Sequence, residues 1–195
     1  MSAELSALEP PAGGWTTDDL DELPEDHRRY ELIDGALIVS PSPTNIHQTI
    51  AARLVAMLEG SCPADYDVTQ AVEIRVSKTR SLIPDVLVTT ADAAARRPSN
   101  FAPHEVALVI EVVSPASVTM DRITKADLYA KAGIPFYWRV ETLQGIVVHT
   151  HRLDPDALAY QPDGQFAKTL KVYEPWEIAF PVSRITPRYY RREAE

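Results

Sequence analysis

An α/β domain, with a mixed β-sheet flanked by helices, is the fold class this sequence predicts. Three observations lead there. Short strand-like apolar runs bounded by turn residues recur along the chain, and two segments with apolar residues at helical spacing separate them. An Asp-Gly pair sits between two apolar runs near the start, as in a tight hairpin. The 195 residues, 45% hydrophobic and 24% charged, suit one ordinary hydrophobic core.

The elements follow in order. Residues 1–14 carry two prolines and two glycines without apolar periodicity, and are expected to form a disordered tail ahead of a single domain at 15–195. Thr16 or Thr17 can cap a short acidic helix reaching about Leu23. Tyr30 to Val39 reads as a β-hairpin turning at Asp34-Gly35, and Ser40-Pro-Ser-Pro-Thr44 ends it. Ile46, Ile50, Leu54, Met57 and Leu58 then mark an amphipathic helix over 44–59. One strand is expected at 68–76, a second in LIPDVLV (Leu82 to Val88) and a third in VALVIEVV (Val106 to Val113). A helix over 121–132 ends at Gly133, and PFYWRV and GIVVHT add two strands. Beyond them, up to Tyr190, the chain reads as irregular with short strands.

Charge restricts the function classes. A net charge of −9 argues against a general nucleic-acid coat protein, because phosphate contacts need Lys and Arg. The acids are concentrated, however: residues 1–30 hold eight acids and two bases. Basic groups recur later at Arg75, Lys78 and Arg80, at Arg96 and Arg97, and at Arg122, Lys125 and Lys131. Cys62 is the only cysteine, which excludes an internal disulfide and a multi-cysteine zinc site. No apolar run approaches the ~20 residues of a membrane span, and the N-terminus lacks the pattern of a secretory signal. A cytoplasmic protein is the expectation.

Glu111 is the only charge in an otherwise apolar eight-residue run. A buried carboxylate requires a proton, a cation or a metal. Asp85 repeats the pattern inside LIPDVLV. Lys125 shares a helical stripe with Leu128, Tyr129 and Ala132, so it should point inward toward the sheet. Plainer readings remain open for each: a structural Glu paired with an Arg, a Pro-Asp turn, and a surface pair between Lys125 and Asp121. Two carboxylates and an amine nevertheless suffice for phosphodiester hydrolysis, the hard oxygens suiting Mg²⁺ or Mn²⁺. On this reading two close carboxylates repel each other without metal, so Asp85→Asn should not destabilise the metal-free protein, and Lys125→Met should spare the fold.

ELIDG (Glu31 to Gly35), the helix bearing His47, Pro84-Asp85, E-V-V-S-P (Glu111 to Pro115), D-x-x-x-K-x-x-x-Y (Asp121 to Tyr129) and A-G-I-P-x-Y-W resemble, in order, the Uma-type family of restriction endonucleases. That family lies in the PD-(D/E)XK nuclease superfamily, and the resemblance runs from about Trp15 to Trp138. It implies a restriction-endonuclease-like fold and a metal-dependent endonuclease acting on nucleic acid, DNA in particular. It also implies Asp85 and Glu111 as metal ligands, the Val112 carbonyl joining them. The superfamily lysine two residues after the second carboxylate is replaced here by Val113; the Uma-type pattern moves it to the following helix, at Lys125. Glu31 matches the family's ELIDG glutamate and is expected to reach the site. Glu141 stands near where an Asp is common. Cleavage of two strands suggests a homodimer.

The remaining motifs carry less. His47 reads as a cap or packing residue, and His149 with His151 lack a third metal ligand. Neither a Walker A loop nor a glycine-rich dinucleotide fingerprint is present, and neither Ser114 nor Cys62 stands in a nucleophile motif. Two rival readings remain: an idle binding module on the same fold, and a metal-dependent hydrolase of another phosphoester.

Overall fold

A computed structural model of the chain describes residues 9–24, 28–40, 42–115 and 117–191. Of the tail expected at 1–14, residues 1–8 lie outside the described residues. Residues 9–13 are exposed, and order tightens at Trp15, whose N–H donates to the Gly35 carbonyl at 2.8 Å while its side chain is buried. A chain beginning at Trp15 is therefore expected to melt at the same temperature as the full chain; a drop of several degrees in a thermal melt would mean that the preceding residues pack on the domain.

The first elements are helix α1 (Thr17–Leu20) and the hairpin strands β1 (Arg29–Ile33) and β2 (Ala36–Ser40). Thr16 caps α1 in a reciprocal capping box with Asp19. Asp34 and Gly35 both adopt positive φ, 52° and 81°, the conformation a two-residue hairpin turn requires. Helix α2 follows (Asn45–Glu59), burying Ile50, Leu54 and Leu58. Next come β3 (Tyr66–Thr69), β4 (Glu73–Ser77), β5 (Arg80–Leu82), β6 (Val86–Thr90), α3 (Ala91–Ala95), β7 (Asn100–Phe101) and β8 (Val106–Val112). A turn of π-helix (Met120–Thr124) leads into α4 (Lys125–Lys131). Strands β9 (Phe136–Glu141), β10 (Val147–Asp154), β11 (Ala159–Phe166), β12 (Thr169–Val172) and β13 (Ile178–Pro181) and helix α5 (Arg188–Arg191) complete the chain.

These strands make three sheets where the sequence reading expected one. One has the order β2-β1-β5-β4-β7, the second β11-β10-β9-β8-β6-β3, and β12 pairs with β13. The strand expected at 68–76 is in fact two, β3 and β4, in different sheets, and Ala71 takes a positive φ of 55° between them. LIPDVLV is also split. Pro84 cannot donate to a ladder, and at Ile83-Pro84-Asp85 the chain leaves β5 of the first sheet and enters β6 of the second. The segment after GIVVHT, expected to be irregular with short strands, supplies the second half of β10 and all of β11, β12 and β13. β11 is largely exposed and carries little apolar alternation, and β12 and β13 alternate over only four residues each, too short a run to stand out in the sequence.

The six-stranded sheet carries the core on both faces. Val86, Val88, Leu108 and Ile110 pack beneath α2 with Trp138, while Leu87, Val109 and Tyr137 pack beneath α4 with Leu128 and Tyr129. Being covered on both sides explains why β6 and β8 read as continuous apolar runs. Among the described residues no helix is long and apolar enough to cross a membrane.

Candidate active site

The crossover between the two large sheets positions the site. β6 runs antiparallel to β8 with Val86 opposite Ile110, which brings Asp85 beside Glu111 and Val112. Glu31 arrives from β1, and Lys125 starts α4 immediately after the π-turn. All four side chains are buried, and together they line a cleft of about 340 Å³. Lys125 therefore faces inward, and its surface pairing with Asp121 is not what forms.

Lys125 is the hub. Its Nζ lies 2.8 Å from Glu31 Oε1 and 3.1 Å from Glu111 Oε1, and donates to the Ile83 carbonyl at 3.4 Å. Glu31 Oε1 also accepts the Ile83 N–H at 2.8 Å. Both backbone groups of Ile83, unable to join a sheet ladder, are thus satisfied by two of the site's own side chains. Tyr129, four residues after Lys125 on the same helical face, donates its hydroxyl to Glu111 Oε1 at 2.8 Å.

Asp85 is held by a different set. Oδ1 accepts from Arg29 Nη1 at 2.7 Å, while Oδ2 accepts from the Val112 N–H at 2.8 Å and lies 2.8 Å from His47 Nε2. His47 thus contacts the site, whereas the sequence reading gave it only a capping or packing role. Arg29 carried no signal of its own in the sequence. Asp121 and Tyr129 did: spacing of four in D-x-x-x-K-x-x-x-Y puts three polar groups on one helical face.

Charge here is finely divided. Burial would raise the Asp85 carboxyl, but the hydrogen bond with His47 and the cations Lys125 and Arg29 hold it down at about 2. Burial raises Glu111 well above the usual carboxylate range; Lys125 pulls it back, and Asp85, Asp121 and Glu31 push it up further. Burial would lower the Lys125 ammonium, yet Glu111, Glu31 and Asp85 outweigh that and keep it protonated. Burial, partly offset by a hydrogen bond with Ser117 and by Lys125, lifts Asp121 to about 6.

Asp121 yields a pH prediction. Its folded-state value lies above the unfolded one, so ionising it costs stability. That cost is absent below about pH 4 and complete above about pH 6, reaching about 2–3 kcal/mol for a shift of this size. Asp121→Asn should remove this part of the decline in stability between pH 4 and pH 7. Denaturant titrations across that range check it, and parallel profiles for the two proteins would contradict it.

The donors suit a hard divalent ion. Four carboxylates line the cleft, and Lys125 and Tyr129 both bond to the same Glu111 oxygen, Oε1. No group of three His, Cys, Asp or Glu among the described residues is arranged to hold a metal. A site of this kind would rest on two carboxylates, a backbone carbonyl and water, as Mg²⁺ sites commonly do. Among the described residues His149 and His151 gain no third ligand.

A family model described as "Uma2: Putative restriction endonuclease" matches residues 17–181, a span that includes every residue of this cleft. The chain belongs to the Uma2 family. No curated protein matches it. A crystal structure described as a "putative nuclease belonging to DUF820", from Anabaena variabilis ATCC 29413, aligns with a TM-score of 0.69 at 18% identity, covering 87% of this chain and 96% of that one. That likeness shows the fold, a restriction-endonuclease-like arrangement of mixed sheets flanked by helices, as the resemblance implied. The Uma2 match extends well past Trp138, where the recognisable motifs end, into β13.

Proposed function

We propose that this Uma2 chain is an endonuclease that uses Mg²⁺ or Mn²⁺ to hydrolyse phosphodiester bonds of nucleic acid, DNA in particular. The convergence of Asp85, Glu111, Lys125 and Glu31 from four separate elements in one cleft carries the reading. Asp85 and Glu111, with the Val112 carbonyl, would hold the ion, which supplies phosphate polarisation and an acidified water when bound. Four carboxylates against the two cations Arg29 and Lys125 leave the cleft anionic, so a phosphate is repelled until a divalent ion enters. Lys125 donates toward the developing phosphate charge. Glu31 and Glu111 hold its ammonium in place, and Tyr129 fixes the Glu111 carboxylate. Arg29 serves Asp85 as an internal counter-ion and gives up Oδ1 when another cation takes it.

Plasmid DNA incubated with the wild-type chain should be cut in Mg²⁺ or Mn²⁺ and spared in Ca²⁺, and Asp85→Ala should be inactive throughout. A second reading, a binding module with an idle site, is favoured by one observation: both Asp85 oxygens already have partners inside the protein. Retained DNA binding with no cleavage in any metal would select it. Sedimentation of the chain with and without DNA tests whether two clefts act together as a homodimer.

A further inference from the structure

A second cavity, about 350 Å³, shares no lining residue with the first cleft. It lies on the α4 side of the six-stranded sheet. Arg139 on β9 is the parallel neighbour of Glu111 and the antiparallel partner of His149; Tyr137 and His151 form the next row. Ala126 and Ala130, one helical turn apart on α4, are too short to fill the space above this row. Arg122 projects into it from the π-turn, next in sequence to Asp121 of the first cleft.

The polar groups of this cavity are unbalanced. Glu141 is the one acid for two arginines: Arg122 donates to it through Nε and Nη2 at 2.9 and 2.8 Å, and Arg139 Nε lies 2.8 Å away. Despite this ion-pair distance, Arg139 Nε is buried with no hydrogen bond of its own among the described residues. Glu141 lies behind the wall, and Asp127, the acid in the wall itself, is engaged with Lys131 at 2.7 Å. A net positive charge therefore faces the cavity. The opposite wall is aromatic. Tyr160 stacks on Tyr137 with centroids 5.4 Å apart, and its hydroxyl is committed to the Ile134 carbonyl at 2.8 Å. His151 lies 5.7 Å from Tyr137, and burial together with Arg139 keeps its imidazole neutral at pH 7.

We propose that this cavity binds a nucleoside phosphate, with the phosphate on Arg139 and Arg122 and the base against Tyr160 and His151. Paired guanidiniums match phosphate oxygens in a fork geometry, and a flat ring is what such a wall accepts. The volume falls in the range of small-ligand sites. Nothing in this assignment depends on the first cleft cutting nucleic acid. Glu141 occupies the arginines in the free protein and competes with the ligand.

Titration calorimetry with adenosine monophosphate, in EDTA so that no metal contributes, tests it on the full chain. Wild type should bind at millimolar concentration or better, with adenosine alone and inorganic phosphate alone each weaker. Arg139→Met should weaken binding roughly tenfold or more, as loss of a charge-assisted bond predicts. Glu141→Gln should tighten it, and Asp85→Ala should leave it unchanged. Arg122→Met, on a half-exposed side chain, repeats the test should Arg139→Met fail to fold. Absence of saturable binding, equal affinity in the arginine variants, or loss of binding in a folded Asp85→Ala protein would overturn the assignment.

Discussion

Lys125→Met is expected to lower DNA cleavage by about two orders of magnitude or more, the usual consequence of removing a preorganised charge at a reacting phosphate. The same substitution should also destabilise the fold by about 3 kcal/mol, because removing one partner of a buried pair leaves the other uncompensated. Here two carboxylates, Glu31 and Glu111, lose their shared cation, and the Ile83 carbonyl loses a donor. From its helical stripe alone, the lysine was expected to matter for chemistry and not for folding; its three buried contacts argue otherwise. The stability loss should depend on pH. Glu111 already sits above the usual carboxylate range through burial, and without Lys125 it rises further. The folded variant then binds a proton that the unfolded chain has released, so its stability falls as pH rises. Denaturant melts at pH 5 and pH 8 should show the larger deficit at pH 8. Cleavage must be compared at a temperature where both proteins are folded, and full activity there would remove Lys125 from the mechanism.

Asp85→Asn is expected to lower metal-free stability by about 2 kcal/mol, the reverse of the expectation from two repelling carboxylates. The repulsion is real, but the fold answers it with two cations, Arg29 and Lys125, and with hydrogen bonds. Arg29, His47 and the Val112 N–H surround Asp85, and Lys125 stands against Glu111. The Asp85 carboxyl is held at about 2, below its unfolded value. Its contribution is thus complete above about pH 4 and is lost as pH falls toward 2, which for this shift amounts to about 2–3 kcal/mol at neutral pH. Asparagine keeps the shape but leaves Arg29 without its acid. Mn²⁺ should raise wild-type stability by about 2.7 kcal/mol at a hundredfold excess over its dissociation constant, and should raise that of the variant much less. Four melts, each protein with and without Mn²⁺, decide the matter. A wild type indifferent to Mn²⁺ would make Asp85 a structural residue, whatever the variant does.

Local patterns were enough for much of this molecule. Asp34-Gly35 specifies its hairpin because only certain residues tolerate positive φ, and the spacing of Ile50, Leu54 and Leu58 specifies α2 because 3.6-residue periodicity is a property of the segment alone. Lone carboxylates at Asp85 and Glu111 stood out for a similar reason: burying a charge is costly, so an acid inside an apolar run must have a partner. That Lys125 would share a site with Glu111 was readable only through helical periodicity together with the Uma-type order of motifs.

Which side chains meet depends on chain crossings that no short window encodes. The break at Pro84 was visible as a proline, but its role in passing the chain from one sheet to another appears only once β5 and β6 have found different neighbours. Arg29 reaches Asp85 across 56 residues and His47 reaches it across 38, pairings set by the packing of the hairpin and α2 over the crossover. The sequence by itself determined the fold class, the hairpin, the main helices and the carboxylates whose burial demands compensation. Tertiary structure alone decided that this compensation comes from Arg29, His47 and Lys125, because electrostatic pairing is a matter of distance in space and not along the chain.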